Sequence, residues 1–177
     1  VAVEQDPPAG QVRDLNDFEL AARLSYFLWS SLPDDELYRA AAQGELHTDE
    51  QLAAQARRMS RDPKAQALVE NFAGQWLQLR NLDTFVPDKE RFPEYDDTLR
   101  AAVRRETESF FRHIVQEDRS VLEFLDADYT FVNERLAKHY GVTGVSGDEF
   151  RRVAVDRQQR GGLLGQASIL AVTSNPT

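Results

Sequence analysis

The 177-residue chain carries 30 Asp and Glu against 21 Lys and Arg, for a net charge of −9, and it has no Cys. That acidity argues against nucleic acid and anionic membranes, which both need a basic face. The missing thiols exclude disulfides, thiol catalysis, zinc–thiolate sites and a covalently attached c-type haem within these residues.

At 41% hydrophobic and 29% charged, the composition is that of one globular domain with a flanking segment. No apolar run approaches the ~20 residues that cross a bilayer. Val1 opens on no signal-peptide pattern, so the sequence reads as cytosolic or as a processed piece of something longer. Residues 1–15, with Pro7, Pro8 and Gly10, read as an extended lead-in.

A first helix is expected over 17–30, capped by Asn16 or Asp17. Phe18, Ala22, Ser25 and Trp29 share one face, Leu20, Leu24 and Phe27 cover the other, and Glu19, Arg23 and Tyr26 leave a narrow polar strip. Such a helix should be nearly surrounded by others. A second begins at Pro33, with Asp34, Asp35 and Glu36 at its positive end, and stops at Gly44. Thr48 with Gln51 makes a capping box for a third, ending near Ser60. Asp62 and Pro63 open a fourth, with an apolar stripe of Leu68, Val69, Phe72, Ala73, Trp76 and Leu79.

Residues 81–95 are irregular, with Pro87 and Pro93. A long helix follows over 97–117. Short ones are expected at 121–125 and at 133–140, the latter capped by Asn133 and closed by Gly141. The alternation over 150–156 predicts one short strand, half of a hairpin with 129–132. Residues 161–172 read as apolar and helical. The fold class is all-α, a multi-helix bundle with a minor short β element near residues 129–132 and 150–156.

On the long helix, about 100° per residue places Leu99, Val103, Phe110 and Ile114 in one stripe, with Glu106 in its middle and His113 beside it. A carboxylate there needs a partner or a raised pKa. Glu106 is therefore either half of a buried ion pair, with Arg80 as the expected partner, or an acid–base group. Glu106 and His113 lie about 10 Å apart along the axis and cannot chelate one ion unaided. His139 is expected on the inner face of its short helix, as a core histidine or as a catalytic partner. His47 carries no signal, and Met59 is expected to pack.

Asp126, Asp128 and Thr130, with Glu134 nearby, alternate like the start of a calcium loop. Phe131 and Ala137 stand where the loop needs Gly and Glu, so a turn explains them better. Trp29, Phe72 and Trp76 have core spacing, with a sugar platform as the alternative. There is no HExxH, GxSxG, GxGxxG or phosphate-binding loop.

Four blocks carry a family resemblance: FELAARLSYFLWSSLPDDEL (18–37), ALVENFAGQWLQLRNL (67–82), RRETESFFRHIVQEDRSVLEFLDADYTFVNERLAKHYGV (104–142) and RGGLLGQASILAVTSNPT (160–177). The chain resembles the planctomycete-type domain of unknown function that occurs in large exported proteins beside cytochrome-like domains. The resemblance implies that 1–15 is the tail of a preceding domain, that 16–158 is the helical domain, and that 159–177 starts a cytochrome-like one. It implies a periplasmic or secreted parent, haem c in the adjoining domain and none in this chain. The partner would be the remainder of the parent polypeptide or a cytochrome-like chain.

The resemblance assigns no catalytic residues, although Glu106, Asp128, Asn133, Glu134 and His139 fall in its most recognisable block. The expected function is a non-catalytic helical module of a haem-linked oxidoreductase. The alternatives are an enzyme domain, with Glu106 as acid or base beside His113 or His139, and a glycan- or protein-binding module offering Trp29, Trp76 and Tyr95.

Overall fold

Asn16 sets the first helix. In extended conformation its side chain accepts from Glu19 N at 3.0 Å, while the Glu19 carboxylate accepts from Asn16 N at 2.9 Å. That reciprocal capping box starts α1 (Asp17–Trp29) and satisfies two otherwise orphaned donors. The computed structural model describes residue 10 and residues 12–174. The chain forms two units, Val1–Leu68 and Val69–Thr177.

In the first unit, Asp34 rather than Pro33 decides where α2 (Asp35–Ala42) begins, because its carboxylate accepts from Leu37 N at 2.9 Å. The same carboxylate takes the Arg58 fork at 2.7 and 3.0 Å, which holds its pKa below the ordinary carboxylate value. Thr48 and Gln51 form the expected box at α3 (Asp49–Arg61). Met59 is fully buried, and its carbonyl accepts the Trp29 indole N–H at 2.9 Å.

Two expectations for α1 fail. Glu19, placed on the polar strip, is buried under an Arg13 fork at 2.7 and 2.6 Å. Phe18, Tyr26 and Phe27 are exposed, so the helix is not enclosed on all sides.

The expected fourth helix is not one α-helix. A π turn (Leu68–Ala73) interrupts it before α4 (Gly74–Trp76), and a 3-10 turn (Leu79–Asp83) follows. A π turn rotates fewer degrees per residue than an α turn. Val69 and Ala73 stay inside, while Phe72 and Trp76 swing outward and stack on each other at 5.8 Å. The core placement expected for those two rings is thereby corrected.

Helix α5 (Asp97–Gln116) is the axis of the second unit. Its N-cap, Asp96, accepts from the Thr98 hydroxyl and from Leu99 N, both at 2.7 Å. Together these bonds hold its carboxyl at about 2. Leu99, Val103, Phe110 and Ile114 are buried as the stripe predicts. Against them pack α6 (Glu123–Asp126), β1 (Tyr129–Val132) and α7 (Glu134–Tyr140), and β2 (Arg151–Ala154) lies beside β1. The strands pair antiparallel, from Tyr129↔Ala154 to Val132↔Arg151, as expected, but α7 lies between them in sequence, so the connection is not the small hairpin expected. Among the described residues the structure is thus mostly helical with one short two-stranded sheet.

The expected helix over 161–172 is broken. After α8 (Arg157–Arg160) come a 3-10 turn (Leu163–Gly165) and α9 (Ala167–Thr173), separated by extended Gln166. Gly162 has φ +58, and a Cβ there would stand 2.5 Å from the Phe124 carbonyl oxygen. Only glycine permits that approach. Leu163 and Ile169 belong to the same apolar core as α5.

Candidate functional site

Glu106 sits mid-way along α5, 1% exposed, too far from either helix end to feel the dipole. Its two oxygens are each taken by a hydroxyl. Thr130 of β1 donates to Oε1 at 2.6 Å, and Tyr140 of α7 donates to Oε2 at 2.6 Å. The Tyr140 oxygen in turn accepts from Ala167 N at 3.0 Å, and the Arg160 guanidinium lies over the Tyr140 ring at 3.8 Å. One carboxylate thus joins α5, β1, α7 and the start of α9.

Burial pushes the Glu106 carboxyl up to about 7, against the opposing pull of the Thr130 and Tyr140 hydroxyls and of Arg160. Burial also raises the Tyr140 phenol, with the Glu106 charge adding to it. Arg80 is not the partner. It is exposed on the 3-10 turn and makes no ion pair with Glu106. Its turn presents Leu79 and Leu82, not the arginine, to the interior.

A second buried polar knot lies one residue along. Thr107 donates to Gln166 Oε1 at 2.6 Å and meets the Ser168 hydroxyl at 2.5 Å. All three side chains are buried, and Gln166 Nε2 has no hydrogen-bond partner. This knot is absent from the expectations drawn from the sequence. Its signal was present in Thr107 on the apolar side of α5 and in the polar pair of QAS within an apolar run.

The histidines do not join Glu106. His113 packs edge-on to Tyr129 at 5.5 Å and against Phe131 at 5.3 Å, with Nε2 buried and unpartnered. Burial first, then Arg152, lowers its pKa below the ordinary histidine value. His139, expected on the inner face, is exposed instead; Leu136 and Ala137 fill the inner face of α7.

The calcium-like residues are dispersed. Asp126 pairs with Arg157, Thr130 serves Glu106, and Glu134 accepts from Gly147 N at 2.7 Å. Asp128 is exposed. Among the described residues no group of three or more His, Asp or Glu is arranged to hold a metal ion.

An open groove of about 580 Å³ runs along α5, lined by Arg105, Arg112, His113, Glu117, Asp148 and Phe150 among others. Glu106 lies behind it, on the core side of the helix, and does not line it. Of the aromatics, Trp29 is buried, Tyr95 half-buried and Trp76 54% exposed. Chemically, the site offers an acid buried among the described residues and held by two hydroxyls.

No curated protein and no solved structure matches the chain. One family does, over residues 15–142, which takes in Glu106, Thr130 and Tyr140 and stops short of Arg160 and Ala167. The chain therefore belongs to the family described as PSD4, protein of unknown function (DUF1592).

Proposed function

We propose that this chain is a non-catalytic helical scaffold module of an exported, c-type-haem-linked oxidoreductase. It would pack against and orient a neighbouring cytochrome-like domain, with electron transfer belonging to the haem next door. The observation that carries the scaffold reading is the sealing of Glu106. An acid–base group must reach the proton it moves, directly or through one water. Glu106 instead spends both oxygens on internal hydroxyls. The haem link and the periplasmic or secreted location rest on the four sequence blocks that resemble cytochrome-associated domains.

The test is the intact parent protein purified from its own source. A c-type haem absorbance spectrum is expected, with turnover unchanged by Glu106→Gln. Absence of haem would remove the oxidoreductase reading. Turnover lost at unchanged stability would instead make Glu106 an acid–base residue.

A second reading, a glycan- or protein-binding module, is favoured by the exposed stacked pair Phe72 and Trp76. Trp76 fluorescence that shifts on adding a soluble polysaccharide would support it.

A further inference from the structure

We propose that residues 160–173 form a pH-released strap, latched onto α5 through the Tyr140 hydroxyl that joins Glu106 to Ala167. The strap packs on α5 and on the 3-10 turn at Leu79–Asp83, and its polar anchors are few and specific. Gly162 N donates to the Ala127 carbonyl at 3.1 Å, and the glycine backbone presses on Phe124 and Leu125. Ala167 N donates to Tyr140, Arg160 covers the Tyr140 ring, and Gln166 and Ser168 close on Thr107. Leu163 and Ile169, with partly buried Ala167, Ala171 and Val172, supply the apolar contact, while Leu164 and Leu170 stay exposed.

Every element packed on Glu106 contributes a defined group. Its own helix presents apolar Val103 and Phe110, β1 presents the Thr130 hydroxyl, and α7 presents the Tyr140 phenol. The strap presents Arg160, the charged group that acts on Glu106. The phenol keeps its proton throughout, because burial and the neighbouring carboxylate both raise its pKa. His139 of α7 lies against the Tyr140 ring at 5.6 Å, and burial and Arg160 lower its pKa below the ordinary histidine value, whereas Glu106 is pushed up to about 7.

Ionised Glu106 accepts from both hydroxyls. Protonated, it must donate once, so one hydroxyl reverses to accept. Lifting the strap withdraws Ala167 and Arg160 and lets water reach the carboxyl. A hydrated glutamate ionises near its ordinary 4.5, whereas the covered one holds its proton to about 7. Between those limits opening releases a proton, so each pH unit favours opening by up to about tenfold. Below the lower limit and above the upper one, pH has no further effect through this group.

Hydrogen–deuterium exchange on the 177-residue chain, corrected for intrinsic rates, reads the strap directly. The opening of peptides within 161–173 is expected to rise on the order of 100-fold from pH 5 to pH 8, with peptides of α3 unchanged. Glu106→Gln, a neutral mimic, should remove the rise, and Tyr140→Phe should raise opening at every pH. A wild-type strap whose opening ignores pH overturns the proposal. So does an equal rise in every peptide, or an undiminished slope in the Gln variant. Should the Gln variant not fold, the wild-type series alone decides.

Discussion

Two buried glutamates, one in each unit, meet opposite surroundings. Glu19 is 3% exposed and lies in the first turn of α1, where backbone N–H groups point outward. It holds the Asn16 N–H and both arms of Arg13. Every one of those donors stabilises negative charge. Glu106 is 1% exposed, sits mid-helix, and receives two neutral hydroxyls, with its cation held off behind a phenol ring. Equal burial therefore comes with two different donor sets. At Glu106 two neutral hydroxyls and a screened cation only partly offset burial, which raises the carboxyl to about 7.

The largest loss is expected from Glu106→Ala. Two buried hydroxyls lose their acceptor and a void opens, costing about 4 kcal/mol in chemical denaturation. Glu106→Gln keeps the shape and removes the charge. A carboxyl whose folded pKa is raised binds more protons folded than unfolded, so its contribution falls as pH rises from 4.5 to 7 and is level above. That loss is about 3 kcal/mol, and Gln does not suffer it. The variant should match wild type near pH 4.5 and exceed it by about that amount at pH 8; equal stability at both values would refute the assignment.

Glu19→Gln should go the other way. It destabilises by about 2 kcal/mol at pH 8, because a charge-assisted fork becomes a neutral one. Asn16→Ala is the smallest effect, about 1 kcal/mol for one lost cap, read as a shift in thermal midpoint.

What could be read from the sequence divides along the same line. The caps at Asn16, Thr48 and Asn133 and the stripe of α5 depend on residues within one or two turns, so spacing revealed them. Glu106 was found inside that stripe for this reason. Its partners were not, because Thr130 and Tyr140 lie 24 and 34 positions away and hydroxyls carry no charge to suggest a match. Arg80 is the partner that charge alone suggests for a buried acid, and charge says nothing of which side of its turn faces inward. His139 was misplaced for a different reason: over seven residues of helix, small errors of phase exchange the inner face for the outer one.

The π turn at Leu68–Ala73 makes chain length a variable there. Removing one residue from it would restore ordinary α winding and turn the Trp76 indole toward the interior at the expense of its stack with Phe72. A relative one residue shorter at this point would present a different outer surface with almost the same letters. Alignments through this stretch should therefore be anchored on Val69 and Leu79, the inward positions on either side, and not on the aromatic pair.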